Sequence, residues 1–149
     1  MNMNTYDFSD GNGPVPAHQH INGEGWVADT AVVEDSAYVG PQATVCGNAT
    51  VRGYAVVSGN ATVNGDAIVS DYAVVSDRAR VSDHAQVISD AVVRGDARVS
   101  GNAFVGGNAR VSGDARVSGN AFVGGNARVS GDARVSGNAR VSGDAVKTS

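Results

Sequence analysis

The sequence is poor in cysteine, proline and aromatic residues. Its 149 residues include one cysteine, three prolines and 5% aromatic residues. A single cysteine excludes an internal disulfide framework. No apolar run approaches the length of a membrane-spanning helix, and the N-terminus lacks the basic start and apolar stretch of a signal peptide. These absences predict cytoplasmic synthesis and no membrane partner.

Basic residues are missing from the first third of the chain. Residues 1–51 contain acidic residues but no lysine or arginine, and all eleven basic residues lie in 52–149. The net charge of −4 therefore hides two ends of opposite sign. Such a bias permits head-to-tail attraction, although it is also typical of a solvated surface, and it supports nucleic-acid binding only weakly.

What the sequence does contain is an internal repeat. Residues 101–118 read GNAFVGGNARVSGDARVS, and residues 119–136 repeat them without a change. Valine occupies every sixth position from 27 to 141, and alanine every sixth position from 31 to 145. The unit is therefore six residues long, and three units make the 18-residue repeat.

Each six-residue unit has the pattern of a short strand followed by a corner. Written from the valine it is V-S-G-(N/D)-A-x, so alanine and valine lie two positions apart and point to the same side of a strand. Glycine followed by asparagine or aspartate favours a bend. Cys46 directly follows an inward valine, and we expect it at the surface.

A six-residue unit cannot bury its own apolar face, so the copies must stack. The sequence predicts an all-β fold, a triangular parallel solenoid with 18 residues per coil and nearly seven coils. Alanine and valine, rather than leucine or phenylalanine, would form a thin and regular core. We divide the chain into an irregular N-terminal cap (1–25), a repeat domain (26–146) and a tail (147–149).

The pattern V-S-G-N-A-R-V-S-G-D-A-R resembles the hexapeptide repeat of the bacterial transferase hexapeptide superfamily, over about four fifths of the chain. The lead-in NGEGWVADTAVVEDSAYVG (22–40) is also similar to the opening of hexapeptide-repeat proteins of bacteria and tailed phages. The resemblance implies a left-handed parallel β-helix. It also implies a homotrimer packed side by side.

The outward residue of each A-x-V falls on one of three faces, read every eighteenth position. One face acquires a column of arginines, which we call the arginine ladder: Arg80, Arg98, Arg116 and Arg134. We expect these arginines either to pair with the corner residues Asp96, Asp114 and Asp132 or to bind a polyanion such as nucleic acid, glycan or phosphate. Asn102, Asn120 and Asn138 should stack as a structural amide ladder beside them.

The other two faces carry apolar residues that cannot point to the core. One has Ile68, Phe104 and Phe122, and the other has Tyr38, Val56, Val74 and Val92. Exposed apolar patches usually mark contact surfaces, so these residues are the predicted self-association interface. The alternative for the valines is strand propensity on a solvated face. Because no helix follows the last repeat at VKTS, end-to-end stacking is a second expected mode of association.

Candidate catalytic and metal-binding residues are few. Hexapeptide acyltransferases use a histidine between subunits and a loop or helical domain, whereas this repeat has no insertion and places His84 at a corner. The zinc site of the family's γ-type carbonic anhydrases needs three histidines at coil positions that this chain fills with Arg, Asn and Ser. His18 and His20 lie two apart and are candidate metal ligands, although two ligands per chain are too few for a closed site. We predict no catalytic residue, no cofactor and no fixed metal site.

The sequence therefore predicts a non-enzymatic structural or binding module that associates with itself, as a side-by-side trimer or an end-to-end stack. A phage or bacterial surface or assembly component is the expected setting. An acyltransferase, active or degenerate, is the main alternative. A polyanion-binding module and an ice-binding protein are lesser alternatives. Ice binding is disfavoured because the outward threonines Thr44, Thr50 and Thr62 form no regular double rank.

Overall fold

The computed structural model describes residues 4–9, 11 and 13–149, which form a triangular parallel β-solenoid. From Trp26 onward the chain adds one two- or three-residue strand to each of three sheets in turn, with 18 residues between paired strands. This confirms the predicted all-β solenoid of about seven coils. No helix long and apolar enough to cross a membrane occurs among the described residues.

We name the three faces by their outward residues. The arginine face contains β3 (Trp26–Ala28), β6 (Thr44–Val45), β9 (Thr62–Val63), β12 (Arg80–Val81), β15 (Arg98–Val99), β18 (Arg116–Val117) and β21 (Arg134–Val135). The phenylalanine face contains β4 (Val32–Val33), β7 (Thr50–Val51), β10 (Ile68–Val69), β13 (Gln86–Val87), β16 (Phe104–Val105), β19 (Phe122–Val123) and β22 (Arg140–Val141). The valine face contains β5 (Tyr38–Val39), β8 (Val56–Val57), β11 (Val74–Val75), β14 (Val92–Val93), β17 (Arg110–Val111), β20 (Arg128–Val129) and β23 (Val146–Lys147).

The core is a stack of alanine and valine layers. Every repeat alanine from Ala37 to Ala133 and every repeat valine from Val39 to Val135 is buried. Backbone amides bond to the next coil in parallel register, for example Arg98 N to Ala115 O at 3.0 Å. The short strands are therefore held by stacking and by ladder hydrogen bonds, as the period of the sequence requires.

The N-terminal segment differs from the irregular cap that we predicted. It contains β1 (Thr5–Asp7) and β2 (Pro14–Gln19), which pair antiparallel, and β2 continues antiparallel onto β3. The arginine face thus becomes a nine-stranded sheet. β2 tolerates its prolines because Pro14 and Pro16 lie at alternate positions, so both lack an amide on the same side of the strand. That side faces β3, where the Pro16 carbonyl accepts a hydrogen bond from Asp29 N at 2.9 Å and no Pro16 amide is required.

Aromatic packing and a buried thiol accompany this hairpin. The Tyr6 ring stacks on Trp26 with centroids 4.9 Å apart, and Phe8 meets Tyr6 edge-on at 4.8 Å.

Cys46 is only 2% exposed, so our surface prediction for it was wrong. The reason is the hairpin, because Val15 and Pro16 of β2 line a 260 Å³ cavity together with Cys46.

Candidate binding faces

The arginine ladder is the most regular charged feature of the molecule. Arg80, Arg98, Arg116 and Arg134 are direct partners in β12, β15, β18 and β21, and all four side chains are exposed. Adjacent strands of a sheet lie about 4.8 Å apart. The ladder therefore presents guanidinium groups at a fixed interval along one side of the solenoid.

The carboxylates beside the ladder pair differently from our expectation. Asp96 contacts Arg78, with Nε and Oδ1 2.9 Å apart, rather than the Arg98 that follows it. Arg78 occupies the same corner position one coil earlier, so the two side chains are stacked neighbours. In the described part of the chain this is the only arginine–carboxylate ion pair, and the four ladder arginines have no carboxylate within pairing distance.

The ladder and its corner residues enclose an open groove of 470 Å³. Its lining is of mixed charge and consists of Arg78, Arg80, Asp96, Arg98, Asp114 and Arg116. A second group of arginines lies on the neighbouring valine face, where Arg94, Arg110 and Arg128 line a 210 Å³ groove with two serines. We did not single out this second group as a site, although its 18-residue column was visible in the sequence.

The first four outward residues of the valine face form a continuous apolar strip, which we call the valine strip: Tyr38, Val56, Val74 and Val92. Each is partly exposed. Tyr54 and Tyr72 extend the strip at the adjoining corner, with rings stacked 5.4 Å apart and each residue 62% exposed. The sequence analysis missed these tyrosines; the available signal was a tyrosine in the repeat position that asparagine or aspartate normally fills.

The phenylalanine face is less continuous than we predicted. Exposed Gln86 stands between Ile68 and Phe104 in the ladder of outward residues. The Phe104 and Phe122 rings stack at 5.1 Å and lie over the corner residues Gly106 and Gly124, both of which are buried. The rings are therefore partly covered by their own chain.

Polar columns line two of the corners. The predicted amide ladder is present, with Asn102 Nδ2 donating to Asn120 Oδ1 at 3.3 Å and Asn120 donating to Asn138 at 3.4 Å. A second ladder, which we had not predicted, runs from Asn108 through Asn126 to Asp144. Both are the structural stacks that an exact 18-residue repeat produces.

The three histidines have different hydrogen-bond or ion-pair partners and do not form one site. His18 Nδ1 lies 2.8 Å from Asp29 Oδ1 at the surface, whereas buried His20 places Nε2 2.8 Å from the Ala37 carbonyl. His84 is an exposed corner residue with Nδ1 3.5 Å from Asp66 Oδ2. Within residues 4–9, 11 and 13–149, no group of three or more metal-binding side chains comes together. The threonines do not form an ice-binding plane either, since Thr44 and Thr62 lie on one face and Thr50 on another.

The repeat matches one described family of β-solenoid proteins. The family model described as the YdcK β-solenoid repeat matches residues 43–59, 57–71, 103–119, 109–125, 121–135 and 133–147. These stretches cover 74 of the 149 residues, and over them the chain is similar to this β-solenoid repeat family.

Among solved structures, the chain is similar to the acetyltransferase domain of PglB from Neisseria gonorrhoeae FA1090, in complex with acetyl coenzyme A. The TM-score is 0.63 at 18% identity, over 80% of this chain. The match spans 54% of the PglB domain, so this chain corresponds to about half of its length. No curated protein sequence matches. The likeness establishes the fold shared by the two proteins.

Proposed function

We propose that this protein is a non-enzymatic structural and binding solenoid that associates with itself side by side through the valine strip. The single observation that carries the proposal is the continuous, partly exposed apolar surface formed by the valine strip with Tyr54 and Tyr72. Outward tyrosines are enriched in protein interfaces because they combine a large apolar area with a polar tip.

Charge limits where this contact can form. In the same column the valine strip is followed by Arg110 and Arg128, so the apolar surface ends where the arginines begin. Copies aligned in parallel would place apolar halves together and leave the arginines at the other end of the rod. A homotrimer packed in this way is the arrangement expected from the family resemblance.

The test uses the column itself to choose a tolerated substitution. Arginine already occupies this outward position at Arg110 and Arg128, so the double variant Val56→Arg/Val74→Arg should fold. We expect sedimentation to give a discrete oligomer for the unchanged protein and a monomer for the double variant. Thr50→Arg/Gln86→Arg on the phenylalanine face is the matched control and should keep the oligomer. A monomer at every concentration of the unchanged protein would refute the proposal.

Acyl transfer is the second candidate, and one observation favours it. His84 faces the Asp66 carboxylate through Nδ1, which is the relation a carboxylate has to a histidine that it orients as a base. The PglB domain with its bound acetyl coenzyme A has the same fold. Against this candidate, both side chains are more than half exposed and no loop interrupts the coils around them.

Thiol release from acetyl coenzyme A distinguishes the two candidates. We expect no turnover above background with amine or hydroxyl acceptors. Turnover that disappears in His84→Ala and survives in the neighbouring corner variant Asn102→Ala would assign the acyltransferase function instead.

A further inference from the structure

We propose that the arginine ladder and its groove bind a linear anionic polysaccharide, laid along the solenoid axis. This surface is separate from the valine strip and does not depend on self-association. It combines three properties: guanidinium groups that have no ion pair among the described residues, a fixed repeat and a column of carboxylates beside the cations.

The first property is that the arginines are available. Arg80, Arg98 and Arg116 line the groove with exposed side chains, and the nearest ion pair uses Arg78 instead. Four like charges at strand spacing repel one another, and this cost is relieved when an anion lies between them. Guanidinium groups bind sulfate or carboxylate groups with two parallel hydrogen bonds.

The second property is the repeat. The ladder offers one arginine per coil, at intervals of about 4.8 Å, which is similar to the length of one sugar unit in an extended chain. A polymer with an acidic group on every sugar or every second sugar would meet an arginine at each step. Each contact is weak and solvent-exposed, but a polymer makes them together, and the effective concentration of successive groups is high.

The third property favours a polysaccharide over a nucleic acid. Asp96 and Asp114 line the groove beside the arginines. Carboxylates accept hydrogen bonds from sugar hydroxyls, which a polysaccharide presents between its charges and the backbone of DNA lacks. Proteins that bind single-stranded nucleic acids also use aromatic platforms for the bases. The described residues that line this groove include no aromatic side chain, and Phe8 lies in the neighbouring groove at the Arg80 end of the ladder.

The experiment measures binding of the purified full chain to heparin, polygalacturonate and poly(dT) at low and at high salt. The ladder variant is Arg98→Gln/Arg116→Gln/Arg134→Gln. The matched control, Arg52→Gln/Arg140→Gln/Lys147→Gln, removes the same three charges elsewhere. Sedimentation and thermal unfolding of both variants check that fold and association are kept.

We expect saturable, salt-sensitive binding to at least one of the two polysaccharides. The ladder variant should weaken it at least about tenfold, since three charge-assisted contacts are lost, and the control less than about threefold, since only the net field changes. The proposal is overturned if neither polysaccharide binds, if both variants lose affinity equally, or if poly(dT) binds more tightly than both polysaccharides.

Discussion

The middle coils and the C-terminal coils make the same corner from different residues. In the middle coils the corner residue is Asp71, Asp77, Asp83 or Ser89, with φ between 59° and 62°. In the C-terminal coils it is glycine, as at Gly113 with φ of 66°. The left-handed conformation is therefore required by the corner itself, and glycine is one of two ways to supply it.

The aspartates compensate for their strain through the next coil. Asp77 Oδ2 accepts a hydrogen bond from Gly95 N at 3.0 Å, and Asp83 Oδ2 accepts one from Gly101 N at 3.0 Å. A left-handed residue other than glycine costs about 1 kcal/mol, which is similar to the net contribution of one hydrogen bond. Aspartate and glycine corners are thus close in energy for different reasons.

The largest effect is expected from a corner residue that is neither glycine nor able to accept the compensating hydrogen bond. Gly113→Val would place a β-branched side chain at positive φ, with its Cβ 2.8 Å from Gly131 N in the next coil. We expect a loss of about 3 kcal/mol in the free energy of unfolding, from strain and overpacking together, measured by urea denaturation. Gly143→Val is the control, because φ is 64° there but no atom lies within 4 Å. Equal losses in the two variants would contradict a role for the stacked contact.

A sharper comparison converts a glycine corner into an aspartate corner. Gly113→Ala has the strain without compensation, whereas the Gly113→Asp carboxylate could accept from Gly131 N as Asp77 does from Gly95 N. We expect the aspartate variant to be more stable than the alanine variant by about 1 kcal/mol, the contribution of one hydrogen bond. The difference between the two urea midpoints measures it, and an alanine variant as stable as the aspartate variant would refute the compensation.

The reverse change tests the middle coils. Asp77→Ala keeps the positive φ and loses the hydrogen bond to Gly95 N, so we expect a loss of about 1 kcal/mol. Asp77→Gly loses the same bond but relieves the strain, and we expect it to lie within about 0.5 kcal/mol of the unchanged protein. Thermal unfolding of the three proteins in parallel would rank them; a glycine variant less stable than the alanine variant would be inconsistent with strain at this corner.

The sequence predicted what the period determines. Regular spacing of Ala and Val specified the strands, the inward face and the 18-residue register, and the three outward columns followed from that register. It did not predict the hairpin, because the six residues of β2 lack the repeat pattern and include two prolines. Nor could it predict that Asp96 pairs with Arg78, since that partner lies one coil away whereas Arg98 is only two residues from Asp96 in sequence. The Phe104 and Phe122 rings lie on glycines that the pattern suggested were ordinary corner residues.

The smallest effect concerns Gly106 and Gly124, which replace the usual serine after the two outward phenylalanines, as Gly40 does after the outward Tyr38. A Cβ at Gly124 would lie 2.7 Å from Cε1 of Phe122, so Gly124→Ser must displace the ring. Because the ring is a partly exposed side chain that can rotate, we expect a loss of about 0.5 to 1 kcal/mol. In Phe122→Arg/Gly124→Ser the unit reads R-V-S-G, as in neighbouring repeats, and the penalty of the serine should disappear. A double-mutant cycle measures this coupling; additive effects would mean that glycine is present for the backbone rather than for the ring.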